Sequence, residues 1–213
     1  MMDMLPQALS TLLASARLKH FPKGQIILYE GDSPNEALIL KDGVVKVHDI
    51  DEQGNEKVLH LMKPPAVLPL MLFQDNSDTT PWFYTALVDC DVYAAPQEEL
   101  TEQMQVNNAL AAYLMHWFAR ETHELLVRLS SLGKSNTRDK LIAALKFLAV
   151  RHASTRRSGW RRVAFPVNHQ LLADMIGVTR ESTAMSMKEL QDERLVRYPR
   201  LTILEINFDK LAL

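Results

Sequence analysis

Arg180 and Glu181 stand side by side where the chain is best equipped to recognise another molecule. A guanidinium can donate two parallel hydrogen bonds to guanine, and a carboxylate can accept from the amine of cytosine. Ala184, Met185 and Lys188 follow at spacings that share one face of a helix with them. The two apolar members suit contact with a thymine methyl. Arg180, Glu181, Ala184 and Met185 are therefore the expected base-reading set. Asn168, His169, Gln170, Thr179, Ser182 and Lys188, with Arg197 and Arg200 further on, carry the donors and charges that suit phosphate. Such contacts position a protein on DNA without reading its sequence.

These side chains need a scaffold, and the stretch Val167–Tyr198 reads as two short helices about a tight turn. In the first helix Leu171, Leu172, Met175 and Ile176 form the buried stripe, and Ala173 is small enough for close helix crossing. Gly177 takes the turn, where a left-handed backbone is least costly for glycine. Thr179 is the expected cap of a second helix from Arg180 to about Glu193. In that helix Thr183, Met187 and Leu190 face the core. A strand pair, Leu195–Tyr198 and Leu201–Asn207 about a Pro199–Arg200 turn, has the look of a wing. An ordinary helical hairpin would share the two helices but not the wing. A helix-turn-helix lays its second helix in the major groove with the N-terminal residues nearest the bases.

Net charge is −2, yet its distribution is uneven. From Gly133 to Leu213 there are 15 Lys/Arg against 8 Asp/Glu, while the first 132 residues hold 9 against 18. A basic C-terminal third beside an acidic remainder fits a nucleic-acid-binding domain joined to something else.

The segment HQLLADMIGVTRESTAMSMKELQDERLV resembles the DNA-binding domain of the Crp/Fnr family of bacterial transcription regulators, most closely at GVTREST. The string FPKGQIILYEGDSPNEALILKDGVVKVHDIDEQGNEKVL is similar to the first half of that family's cyclic-nucleotide-binding barrel, with Gly24, Gly31 and Gly43 in the matching places. The resemblance implies an α+β chain: an antiparallel barrel or jelly roll, a long dimerisation helix and a winged helix-turn-helix. It also carries the base-reading role onto Arg180 and Glu181. Met185 stands where family members usually have another arginine, which puts the usual half-site preference in doubt at one position.

The residues agree with a barrel. Candidate strands Leu18–Phe21, Gln25–Tyr29, Ala37–Lys41, Val44–Asp49, Lys57–Met62 and Phe83–Val88 alternate with turn-forming clusters. Family members that bind cyclic nucleotides use a glutamate for the ribose and an arginine for the phosphate. Here those positions fall near Pro69 and Thr80-Pro81, and no lysine or arginine lies between Lys63 and Arg120. A cyclic phosphate would be buried without its counter-charge, which is costly, so cyclic AMP is not the expected effector. Leu70, Met71, Phe73, Trp82 and Tyr84 could line an apolar small-molecule pocket with a polar handle, or fill the barrel so that nothing binds. Haem sensing occurs in relatives of this family; His48, His60, His116 and His123 are the candidates for an axial ligand, and none sits in an attachment motif. No cofactor and no metal are expected.

From about Asn107 to Leu132 the chain reads as one long helix, with Leu114, Phe118, Leu125, Leu129 and Leu132 near a heptad seam. Family resemblance makes this the homodimer interface, with Glu121 near its centre pairing across to Arg120 or Arg128. Two recognition helices would then read a palindromic double-stranded operator. The expected division is a sensor barrel with flanking helices at 1–106, the dimer helix at 107–132, a hinge at 133–136 and the winged helix-turn-helix at 137–213. Thr137 is the expected cap of a helix Arg138–His152. The basic segment Ala153–Arg162 reads as a solvated loop, although in some relatives the matching surface contacts RNA polymerase. Cys90 is the only cysteine, no apolar run approaches the ~20 residues of a membrane span, and the N-terminus lacks a positive leader. A cytoplasmic location without membrane contact is expected. Nothing resembles an enzyme's nucleophile, phosphate loop or metal cluster.

Overall fold

Among the described residues, eight short strands build two four-stranded antiparallel sheets in the first part of the chain, as its turn-punctuated sequence leads one to expect. One sheet has the order β1 (Arg17–Phe21), β8 (Cys90–Pro96), β3 (Glu36–Asp42), β6 (Ala66–Leu68); the other runs β2 (Ile26–Leu28), β7 (Phe83–Ala86), β4 (Val45–Ile50), β5 (Glu56–Met62). The computed structural model describes residues 9–73, 79–157 and 159–211. Within it the chain divides into two compact units. The first runs to Asp49 and resumes over Leu59–Thr122; the second takes Ile50–Val58 and His123–Leu213.

In the first unit, Leu28, Leu38, Leu40, Val45, Val47, Met62, Tyr84 and Val92 from both sheets share one core. Residues 37–40 of β3 are all buried in succession, because helices cover the face of its sheet that does not meet the other sheet. Leu9, which precedes α1 (Ser10–Ser15), Leu12 within it, Leu100 of α2 (Gln97–Val106) and Leu110 and Leu114 of α3 (Asn108–Leu132) join the same core. Gly43 is required where it stands. Its φ is +100°, and a Cβ there would meet Asp89 O and Cys90 Sγ at 2.6 Å.

Strands β6 and β8 were not among the sequence candidates. The long helix is also preceded by a separate one, α2, ended where Asn107 turns to an extended backbone. In α3 the apolar seam proves to be two faces rather than one. Leu114 is 1% exposed and packs in its own core. Glu121 is 5% exposed and pairs with His60 of β5 at 2.7 Å and with Arg120 at 3.7 Å within the same chain. Neither Leu114 nor Glu121 is available to a partner, which corrects their place in the expected interface. The outward stripe is Met115, Phe118, Thr122, Leu125, Leu129 and Leu132, alternating by three and four residues as a heptad a/d set does; Leu125 in it is half-buried, and Phe118 half-buried against the protomer's own core.

In the second unit, α4 (Thr137–Arg151) buries Leu141, Leu145 and Leu148. Its cap is Asn136, whose side chain accepts from Asp139 N, and not Thr137. Residues 153–162, expected as a loop, form the strands β9 (Ala153–Arg157) and β10 (Trp160–Val163) of a sheet ordered β11–β12–β10–β9. Strands β11 (Val196–Arg200) and β12 (Ile203–Asn207) are the wing, and their turn is Leu201-Thr202 rather than Pro199-Arg200. Proline lies on an edge strand, where its missing N–H interrupts nothing. Arg128, 7% exposed, donates to the carbonyls of Val58 and Met175 inside this unit, and burial lowers its pKa to about 10.

Candidate nucleic-acid interface

The helix pair forms as its local signals dictate. Asn168 Oδ1 accepts from Leu171 N at 2.8 Å and starts α5 (His169–Ile176). That helix buries Leu171, Leu172, Ala173, Met175 and Ile176 and closes at Gly177, φ +66°. Thr179 Oγ1 accepts from Ser182 N at 3.2 Å and starts α6 (Arg180–Asp192). Thr183, Met187 and Leu190 are fully buried on one side. On the other, Arg180, Glu181 and Lys188 are exposed, Ala184 is half-buried and Met185 is 69% exposed. The four base-reading candidates thus lie on one outward strip of one helix. Its N-terminus carries the glutamate, where the helix dipole favours a negative charge.

The candidate phosphate contacts are less uniform. Asn168 and Thr179 spend their oxygens on the caps, and Gln170 donates to Asp174 at 2.7 Å. His169 packs edge-on against Tyr198, centroids 6.0 Å apart, and burial together with the nearby Arg180 charge holds its pKa below the ordinary value. Lys188 and Arg200 are exposed. Arg197 has a second occupation: it bonds Glu205 at 2.7 Å and stacks 4.1 Å over the Trp160 ring. Arg162 holds the same carboxylate at 2.7 and 2.9 Å. The result is an Arg–Glu–Arg ladder in register across β10, β12 and β11. Burial opposes ionisation of Glu205, but the two arginines outweigh it and hold the carboxyl below its usual range. Glu205 and Trp160 were not anticipated. The signal was present in Ile-Leu-Glu-Ile-Asn, where Glu205 interrupts core residues Leu204 and Ile206.

In the barrel, Tyr84 is fully buried and its hydroxyl accepts from Leu70 N at 3.3 Å. Trp82 packs against the core, and the side chains of Met71 and Phe73 lie outside the described residues. Thr80, at the position expected for the phosphate-binding pair, is fully buried. Its backbone N donates to Asp32 O, its carbonyl accepts from Gly31 N, and its hydroxyl donates to Trp82 O. The histidines are dispersed. His48 bonds Thr85 and stacks on Phe83, His60 meets Glu121, His116 bonds Ala112 O, and His123 is exposed.

A two-sheet barrel joined to a winged helix-turn-helix with an open reading face defines a DNA-binding transcription regulator. Comparison with known proteins agrees over most of the chain. The cyclic nucleotide-binding domain family matches residues 18–107, and the Crp-like helix-turn-helix domain family matches residues 139–212. The chain belongs to the Crp/Fnr family of transcription regulators. It is 25% identical over 178 residues to the HTH-type transcriptional regulator ArcR of Staphylococcus haemolyticus, covering 83% of this chain and 77% of ArcR. It is 22% identical over 196 residues to the cAMP-activated global transcriptional regulator CRP of Salmonella typhimurium, covering 90% and 91%. Among solved structures, FixK2 of Bradyrhizobium japonicum superposes with a TM-score of 0.77 at 15% identity, over 92% of this chain and 96% of that one. Among the described residues no helix is long and apolar enough to cross a membrane.

Proposed function

We propose that this regulator works as a homodimer, reads a palindromic operator through Arg180, Glu181, Ala184 and Met185, and is not switched by cyclic AMP. The observation that carries the last point is Thr80. It stands near the place where the family resemblance puts the phosphate-pairing residues, is held by hydrogen bonds at its backbone N, its carbonyl and its hydroxyl, and belongs to a stretch without lysine or arginine from residue 64 to 119. A cyclic phosphate there would lack a charge partner. The outward stripe of α3 supports dimerisation, since its exposed leucines are otherwise left in water. Lys188 and Arg200, with side-chain donors of Asn168, His169, Gln170 and Ser182, take the flanking phosphates in this reading; Thr179, whose hydroxyl donates to Ser182 Oγ, would have to give up that bond to join them, and Arg197 mainly braces the wing. RNA polymerase is the further partner that the family resemblance suggests, at the segment that here forms the β9–β10 hairpin. Constitutive binding is favoured over an apolar effector, because Tyr84, one of the two polar handles such a pocket would offer beside Trp82, is fully buried with its hydroxyl accepting from Leu70 N.

Fluorescence anisotropy with operator selected from random duplexes tests the reading. Specific binding that is indifferent to added cyclic AMP is expected; binding that appears only with cyclic AMP overturns it. An apolar effector would show itself as a ligand-dependent rise in melting temperature.

A further inference from the structure

The wing tip carries a residue that the reading above does not use. Leu201 is 93% exposed, whereas the other apolar side chains of the wing, such as Val196, Leu204 and Ile206, are buried. A single exposed leucine is ordinary; what distinguishes this one is that its position is fixed. Thr202 beside it holds φ +67°, a conformation that β-branched residues rarely adopt. Thr202 O accepts from Val167 N at 2.8 Å, which ties the turn to the residue preceding the Asn168 cap. The Arg162–Glu205–Arg197 ladder stiffens the strands that carry it. Leu201 also lines, with Asn168, His169, Arg180, Tyr198 and Thr202, an open concavity of about 600 Å³. The same concavity is thus lined both by Arg180 of α6 and by the leucine of the wing.

With α6 laid in the major groove, the sugar-phosphate strand at the groove edge would run between the helix and the wing. Whatever stands beyond that strand meets the neighbouring minor groove. We infer that Leu201 is an apolar minor-groove contact, and that it makes the regulator prefer A·T pairs flanking each half-site. The chemistry follows from the groove floor. A G·C pair adds the guanine N2 amine, a donor absent from A·T. A leucine laid over that amine removes its water and offers no acceptor in return. Arg200, which ends β11 just before the turn, supplies charge for the phosphates on either side.

The inference rests on the regulator reading, and the test separates the two. Full-length protein is first used to select operators from a random duplex library. Anisotropy competition then compares duplexes that differ only at the flanking pairs, carrying A·T, G·C or inosine·C. Inosine·C keeps the major-groove face of G·C but lacks the N2 amine. G·C flanks should bind about ten-fold more weakly than A·T, and inosine·C should restore binding to within about two-fold. Leu201→Ala, exposed enough to leave the fold intact, should bind all three alike with an unchanged salt slope. Arg200→Ala should weaken all three and lower the slope by about one. Equal affinity for A·T and G·C flanks in the wild type overturns the inference. So does a preference that survives Leu201→Ala, or one that disappears with Arg200→Ala instead. If selection enriches no duplex at all, the regulator reading falls first and this one with it.

Discussion

Replacing Leu129 by alanine separates the two faces of α3. Leu129 is 66% exposed in the single chain. Fully burying a leucine contributes about 1.5–3 kcal/mol, so roughly 1–2 kcal/mol per copy is still to be gained at a partner. A two-fold seam contains the residue twice. Alanine retains one methyl, so truncation removes about 2–3 kcal/mol per dimer, a dissociation constant about 30- to 150-fold higher at 1.4 kcal/mol per decade. Sedimentation equilibrium over a dilution series reads this directly. Leu114→Ala is the matched control on the opposite face. It opens a cavity in the protomer's own core and should cost about 2–5 kcal/mol of folding, lowering the melting temperature with little effect on dimer dissociation. A Leu129 variant whose dissociation constant is unchanged would refute the outward seam. So would a folded Leu114 variant that loosens the dimer as much.

Gly177→Ala should cost about 1–2 kcal/mol from the left-handed backbone alone, because a Cβ at Gly177 meets nothing within 4 Å. Thermal melts should show a drop of a few degrees with helical content kept. Gly43→Ala, whose Cβ would strike Asp89 O and Cys90 Sγ, should lose far more folded protein in the same assay. Glu205→Gln should cost about 1–3 kcal/mol near neutral pH, since two arginines lose their shared carboxylate. The folded Glu205 pKa is depressed below 4.5. Its stabilisation is therefore full above that value and is lost as pH falls through the folded pKa. Denaturant melts of wild type and Glu205→Gln should accordingly converge below about pH 4.5, and a gap that stays constant to pH 3 would count against the ladder.

Local chemistry made the helix pair legible. Gly177 and Thr179 each act through their own backbone geometry, so a short window of sequence contains the cause. The α3 seam was harder, because apolar residues on an inner and an outer face overlay into one apparent heptad. Only burial distinguishes Leu114 from Leu129, and burial is decided by strands far away in the chain. Strand β8 escaped notice because Ala94, Ala95 and Pro96 carry little β-propensity, and pairing with β1 and β3 overrides it. The β9–β10 hairpin was hidden by its arginines. Arg161 lies 3.4 Å from the Phe208 ring centroid and bonds Ala149 O, so a charge that looked solvated is packed. At the wing, proline drew the turn two residues too early; nothing local foretells a threonine at φ +67°.

The pair His60 and Glu121 sets the azimuth of the long helix as a key sets a shaft. Both side chains are nearly dry and 2.7 Å apart. Rolling α3 by one residue, about 100°, would leave one of them buried without the other, a loss of about 3–5 kcal/mol. A second chain docking on the outward stripe would therefore meet a surface whose bearing is already decided. In a symmetric pair any error of roll appears twice, once in each copy and with the same sense. Two carboxylate–imidazole keys, one per copy, would thus make the mutual orientation of the protomers a property that each chain carries before it meets its partner.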